Sequence, residues 1–183
     1  MSAIQQMMMA KGSVVSFTYA TWNPADKDST ITLSGGNLTS TGSANGAVRS
    51  TISKSSGKWY WENTFTSTGG MSTGICFSTD TLTLFPGIPA NSWGYINNGS
   101  IQNNATFINA AATYTNGDVI GIALDLDGLT LKCYKNNTLQ VNETIPSGTY
   151  FAAIGYSSTA TTNFGASTFV YTPPAGYNSG LYT

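Results

Sequence analysis

Histidine is missing from all 183 residues, and charged residues make up only 8% of the chain. The first absence removes Ser-His-Asp and Cys-His catalysis, and with them the zinc sites that need imidazole ligands. The second leaves seven basic residues scattered along the sequence. Nucleic-acid binding takes most of its affinity from clustered Lys and Arg, so no nucleic-acid partner is expected. No apolar run approaches the roughly 20 residues that cross a bilayer, so membrane insertion is not expected either. The N-terminus, Met1-Ser-Ala-Ile-Gln-Gln-Met-Met-Met-Ala-Lys11, has no positive region ahead of an apolar one, unlike an export signal. Cysteine is scarce as well: Cys76 and Cys133 lie in separate strand-like runs, and buried free thiols are favoured over a bridge. Gly-rich phosphate-binding motifs are absent.

What remains is 40% hydrophobic and 12% aromatic with a net charge of −1, so the chain is polar through Thr, Ser and Asn and has no signature of disorder. Short runs rich in Thr, Val, Ile, Tyr and Trp alternate with Gly, Asn, Asp and Ser clusters, which predicts an all-β domain. Strands are expected near Val14–Tyr19, Thr30–Leu33, Asn37–Thr41, Ala47–Ser50, Trp59–Phe65, Thr73–Ser78 and Trp93–Ile96. Further strands are expected near Ser100–Asn103, Val119–Asp125, Thr130–Lys135, Leu139–Asn142, Phe151–Tyr156 and Thr161–Asn163. In the run Lys58–Phe65, the side chains of Trp59, Trp61, Asn63 and Phe65 share one face, with Asn63 the polar exception. Asp127-Gly128, Asn136-Asn137 and Asn98-Gly99 read as hairpin turns. Asn23-Pro24-Ala25-Asp26 reads as a turn leading into the domain. The run from Tyr171 to Tyr177 reads as a Pro-stiffened segment packed over the sandwich. These features give a β-sandwich of two antiparallel sheets spanning residues 20–183, with residues 1–19 as an N-terminal extension.

Four blocks carry a resemblance. Gly57-Lys-Trp-Tyr-Trp-Glu62, Gly117-Asp-Val-Ile-Gly-Ile-Ala-Leu-Asp125, Leu131-Lys-Cys-Tyr-Lys-Asn136 and Tyr150-Phe-Ala-Ala-Ile-Gly155 are similar, in order and spacing, to the strand motifs of SPRY domains. Phe151 stands where those domains commonly have Pro. The resemblance implies a bent, concanavalin-like sandwich that recognises partners through its loops, with no enzymatic activity and no cofactor. The ending Asn163-Phe-Gly-Ala-Ser-Thr-Phe-Val-Tyr-Thr-Pro-Pro-Ala-Gly-Tyr177 resembles SPRY-like domains of tailed-phage virion proteins, as do Thr21–Pro24 and Ser29–Ser34. That likeness implies a virion protein, made in the host cytoplasm, released by lysis and present in multiple copies beside other virion proteins. Its implied role is attachment to a host glycan or protein receptor, in a tail or fibre. Capsid decoration and a cellular peptide-binding adaptor are the alternatives.

Candidate contact residues follow from the residues themselves. The segment from Phe85 to Tyr95 sets aromatics among prolines, and Asn97 and Asn98 adjoin it. Phe85, Trp93, Tyr95, Asn97 and Asn98 are therefore the candidate ligand-binding set, because aromatic faces beside amides suit both sugar rings and protein anchors. Against this, Trp93 is more simply read as core, and Tyr95 is evenly balanced. Ile4, Met7, Met8 and Met9 are candidates for docking on the virion; a frayed tail is the equal alternative. Asp125 and Asp127 could share a face as paired carboxylates or offer oxygens to calcium, but turn and strand-end roles account for them better. The Asn-x-Ser/Thr sequons at Asn37, Asn98, Asn104, Asn136 and Asn142 are expected of so Thr-rich a chain and carry no meaning.

Overall fold

The computed structural model describes residues 16–67 and 69–183, and the described residues form fourteen strands and no helix. In chain order the first seven are β1 (Trp22–Lys27), β2 (Ile31–Ser34), β3 (Thr39–Gly42), β4 (Ala47–Lys54), β5 (Lys58–Phe65), β6 (Ser72–Cys76) and β7 (Trp93–Ile96). The rest are β8 (Ser100–Asn103), β9 (Thr106–Ala110), β10 (Val119–Asp125), β11 (Thr130–Lys135), β12 (Thr138–Thr144), β13 (Tyr150–Gly155) and β14 (Thr159–Asn163). Sheet I runs β1-β4-β13-β6-β7-β8-β9 and sheet II runs β12-β11-β10-β5-β14-β3-β2, seven strands each, with antiparallel pairing throughout. The expected two-sheet sandwich is the fold.

Alternation explains the core. On β5, Trp61, Asn63 and Phe65 turn inward and are fully buried, against Ile75 and Tyr150 of sheet I and Ile120, Ile122 and Phe164. Asn63 is tolerated among them because both its amide nitrogen and its amide oxygen have partners. Its Nδ2 donates to Thr73 Oγ1 at 2.9 Å, and its Oδ1 accepts from Thr162 Oγ1 at 2.7 Å. Thr162 Oγ1 in turn accepts from Trp22 Nε1 at 3.1 Å. One chain of hydrogen bonds thus ties β1 and β6 of sheet I to β5 and β14 of sheet II inside the core, where unpaired polar groups are costly.

The opposite face of β5 is not solvent-facing. Tyr60 and Glu62 are each 2% exposed, because the segment after β14 crosses sheet II as a strap. Phe169 packs edge-on against Tyr60 at 5.1 Å, and the N–H groups of Val170 and Tyr171 donate to the Glu62 carboxylate at 2.8 and 2.9 Å. The chain end then returns to the entrance of the domain, where Tyr19 pairs with Tyr182. The Pro-stiffened terminal segment therefore packs as its sequence leads one to expect.

Two strands escape the sequence reading. β1 contains Pro24, and its register moves from Trp22↔Ser50 to Lys27↔Val48, so the residues between bulge out of an edge strand. Pro is compatible with such a position, and Asn23 Oδ1 accepts the Ala25 N–H at 3.0 Å, which is the local turn chemistry read from the sequence. β9 follows an Asn104-Ala105 turn with φ of 51° and 55°, which Ala rarely adopts and so does not advertise. The Asn136-Asn137 turn is as expected, with both residues at positive φ between paired Lys135 and Thr138. The hairpin at Asp127-Gly128 is longer than a two-residue turn: Asp125 pairs with Thr130, and Leu129 is the residue at positive φ, 53°. The expected strand Val14–Tyr19 is not a strand over its described part, where only Tyr19 makes an isolated bridge to Tyr182; residues 14 and 15 lie outside the described residues, as do Ile4, Met7, Met8 and Met9.

Candidate functional site

One end of the sandwich gathers loops from both sheets into a rim. The β5–β6 loop meets the β7–β8 turn through Asn97, whose Nδ2 donates to the Gly69 carbonyl at 3.3 Å and whose Oδ1 accepts the Met71 N–H at 3.3 Å. The same β5–β6 loop meets the β13–β14 turn, where Gly70 N–H donates to Ser157 Oγ at 3.2 Å. Tyr156 N–H donates to the Gly46 carbonyl at 2.9 Å, joining the β3–β4 loop, and Ala47 N–H reaches the Leu82 carbonyl at 2.8 Å. The long β6–β7 loop thereby brings Phe85 to the rim.

At the centre of this rim Phe85 and Tyr156 stack face to face, with centroids 4.3 Å apart and planes 20° apart. Both are half-buried. Tyr156 holds φ at 81°, a conformation that bulky residues avoid and that persists only where surrounding packing fixes it. The packing is visible: a Cβ on Gly70 would collide with the Tyr156 ring, and one on Gly42 with the Tyr156 carbonyl. The missing side chains thus leave room for the Tyr156 ring against Gly70 and for its backbone carbonyl against Gly42. Asn98 stands exposed in the β7–β8 turn and caps that turn by accepting the Ser100 N–H at 2.9 Å.

The long loop itself is fastened to sheet I by Arg49, which is 6% exposed. Its Nε and Nη2 grip Asp26 at 2.8 and 3.0 Å, and its Nη1 donates to the carbonyls of Phe77 and Asp80 at 3.0 and 2.9 Å. The Asp80 carboxylate in turn accepts N–H groups of Phe77 and Asn91. Every arm of the guanidinium is occupied, so it fixes the loop and offers nothing to a ligand.

The sequence-derived candidates separate accordingly. Phe85, Asn97 and Asn98 come together at the rim, while Trp93 and Tyr95 face the core at 7% and 1% exposure. Trp93 packs on Tyr150 at 6.0 Å, and Tyr95 packs on Tyr114 at 4.8 Å while its hydroxyl donates to the Ala112 carbonyl. Burial pushes the hydroxyl pKa of both Tyr95 and Tyr114 up. Tyr156 was not a candidate from sequence; the signal that would have raised it is Gly155-Tyr156-Ser157 closing a tight turn beside other glycine-bearing loops.

The carboxylates have structural work. Asp125 accepts the N–H groups of Asp127 and Gly128 at 3.1 and 2.6 Å and pairs with Lys58 at 2.8 Å. Asp127 accepts the Gly57 N–H at 2.8 Å, so the two residues close neighbouring turns and do not face each other across a reaction site. Burial raises the Asp125 pKa, but Lys58 and the turn N–H groups outweigh it and hold the carboxyl below its usual range. Asp118 is similar: burial is overcome by the Thr115 N–H, the Asn136 amide and Lys135. Among the described residues no cluster of acidic and Cys side chains is placed to hold a metal ion. Cys76 and Cys133 are buried free thiols, each raised to about 12, chiefly by burial.

Known proteins share this architecture. The SPRY domain of human HERC1 superposes with a TM-score of 0.66 at 14% identity, covering 77% of this chain and 96% of its own. The TRIM65 PSpry domain gives 0.66 at 16% identity, covering 80% of this chain and 92% of its own. Stonustoxin gives 0.64 at 20% identity over 80% of this chain, but only 27% of the toxin. No curated protein sequence matches the chain. The SPRY domain family matches residues 58–167, more than half of the chain, including the β5–β6, β6–β7, β7–β8 and β13–β14 loops of the rim. This protein belongs to the SPRY domain family, whose fold serves protein–protein recognition.

Proposed function

We propose that this chain is a non-catalytic surface protein of a tailed-phage particle, and that its rim holds a host receptor, protein or glycan. The observation that carries the reading is the Phe85–Tyr156 stack, a preformed aromatic anchor among loops that are pinned to a rigid frame. Binding energy concentrates on such anchors, and pre-organisation lowers the entropy lost on contact. Asn98, exposed on the β7–β8 turn, supplies an adaptable amide. The likeness of the ending Asn163–Tyr177 to tailed-phage virion proteins supports the setting, and the low charge suits a crowded particle surface. In this reading Ile4, Met7, Met8 and Met9 dock the chain on the virion, and deleting residues 1–12 abolishes incorporation while the domain still folds; normal incorporation refutes the docking.

One observation favours a purely structural virion role instead. The edge strands β9 and β12 lie side by side, joined by Asn109 to Glu143 at 2.9 Å, and expose Phe107, Ile108 and Leu139 at 58%, 38% and 49%. Open apolar edges are where further copies add. The readings part in an adsorption assay. Purified chain added to host cells should slow the attachment of particles that carry it, and Phe85→Ala with Asn98→Ala should remove that effect. Unimpaired adsorption of particles lacking the chain favours decoration. Binding of linear peptides by a chain absent from particles favours a cellular adaptor.

A further inference from the structure

Where the strap crosses sheet II it leaves an open cleft of about 600 Å³ between residues 165–173 on one side and Tyr19 and Ser179 on the other. We infer that this cleft is a second binding site, and that its ligand is a neutral oligosaccharide. The inference concerns the outer face of sheet II and does not rest on the rim.

The lining decides the ligand class. Among the described residues, none of the side chains lining the cleft is charged. The carboxylate that lies beneath the strap, Glu62, is already used: Oε2 accepts Val170 N–H, and Oε1 accepts both Tyr171 N–H and the Tyr60 hydroxyl. Among the described residues an anionic ligand finds no lining cation and a cationic one no free carboxylate, which argues against phosphates, nucleotides and charged peptides. What the cleft does present is hydroxyls, from Ser167, Thr168, Thr172 and Ser179, all exposed. A hydroxyl both donates and accepts, so a row of them matches the same group repeated along a sugar.

An aromatic wall completes the match. Tyr19 lines the cleft with a half-buried ring, held edge-on by Tyr182 at 5.4 Å. Tyr171 adds a second half-buried ring from the strap side. Rings with one open face pack against the C–H surface of a sugar while their hydroxyls remain wet. The walls are fixed in advance. Asn163 Nδ2 holds the Ser167 and Thr168 carbonyls at 3.0 and 3.1 Å, Glu62 holds the next turn of the strap, and Leu181 N–H pairs with the Phe164 carbonyl at 2.8 Å. The size falls in the range of roughly 300–1,000 Å³ usual for small-ligand sites, enough for a short oligosaccharide.

The test is an array of neutral hexose and N-acetylhexosamine oligosaccharides, two to four units long, printed beside sialylated and sulfated counterparts and probed with the full chain. The expected result is retention on neutral glycans, weakened about tenfold or more by Thr168→Trp, which fills the cleft, and by Tyr171→Ala, which removes a ring. Thr168 is exposed, so the first variant keeps the fold, and an unchanged melting temperature confirms it. Thr144→Ala, an exposed change outside both the cleft and the rim, should leave the signal unaltered. Retention of no neutral glycan, preference for the charged ones, or binding that survives Thr168→Trp overturns the inference. Loss through the rim variants Phe85→Ala and Asn98→Ala alone overturns it too, and moves glycan binding to the rim.

Discussion

Replacing Glu62 by Gln is the sharpest single perturbation of this structure, because it keeps the shape of the side chain and changes only what it can accept. The carboxylate takes three donors in a site that is 2% exposed: Val170 N–H at 2.8 Å, Tyr171 N–H at 2.9 Å and the Tyr60 hydroxyl at 3.0 Å. In Gln the oxygen can keep Tyr171 and Tyr60, but the amide NH₂ then meets the Val170 N–H, donor against donor. A hydrogen bond to a charged acceptor is worth about 1.5–3 kcal/mol, and one of the three is lost outright. The strap can relieve the clash by lifting Val170, already 62% exposed, into water, which caps the loss. The expected destabilisation is about 2–3 kcal/mol, or roughly 4–12 °C in Tm for a domain of this size. Thermal denaturation followed by near-UV circular dichroism measures it, and proteolysis should then cut first within residues 165–177. A Gln variant within about 0.5 kcal/mol of wild type refutes the assignment of Glu62 as the anchor of the strap.

Other outcomes follow from the same contacts. Asn63→Leu leaves the Thr162 hydroxyl without its acceptor between the sheets, so urea denaturation should show a loss of about 1–3 kcal/mol despite the added hydrophobicity. Stability should be flat from about pH 5 to pH 8, because no histidine titrates there. Asp28, Asp118 and Asp125 have folded pKa values below the unfolded ones, so their contribution is complete above the usual carboxylate range and is lost as pH falls through it; melting below about pH 4 should drop steeply. On the alkaline side the raised thiols of Cys76 and Cys133 bind protons longer in the folded state, so stability should decline above about pH 9. Neither thiol should react with a water-soluble disulfide reagent until the protein unfolds, and rapid native labelling would contradict their burial.

The frame was legible because alternation and turn chemistry act locally. The run Lys58–Phe65, the Asn136-Asn137 turn and the hairpin between β10 and β11 each announce themselves within a dozen residues, and together they carry the family's blocks. What the sequence hid is decided by contacts between distant segments. Tyr60 and Glu62 alternate outward and look solvent-facing; they are buried because a strap more than a hundred residues later lies on them. Trp93 and Tyr95 sit two apart and face inward together, yet nothing local distinguishes that from an outward pair beside a proline-rich loop. Tyr156 takes its place at the rim through Gly42, Gly70 and Phe85, from three separate segments, and the strap cleft depends on the segment before β1 meeting the C-terminal segment at Tyr19 and Tyr182.

A cryo-EM reconstruction of the phage particle in which we propose that this chain sits tests the central claim most directly. The account predicts density for the domain at a tail or fibre, with the loops around Phe85, Asn98 and Tyr156 pointing away from the particle. Density spread over the capsid lattice with that rim buried against the shell, or particles with no such domain, would contradict it.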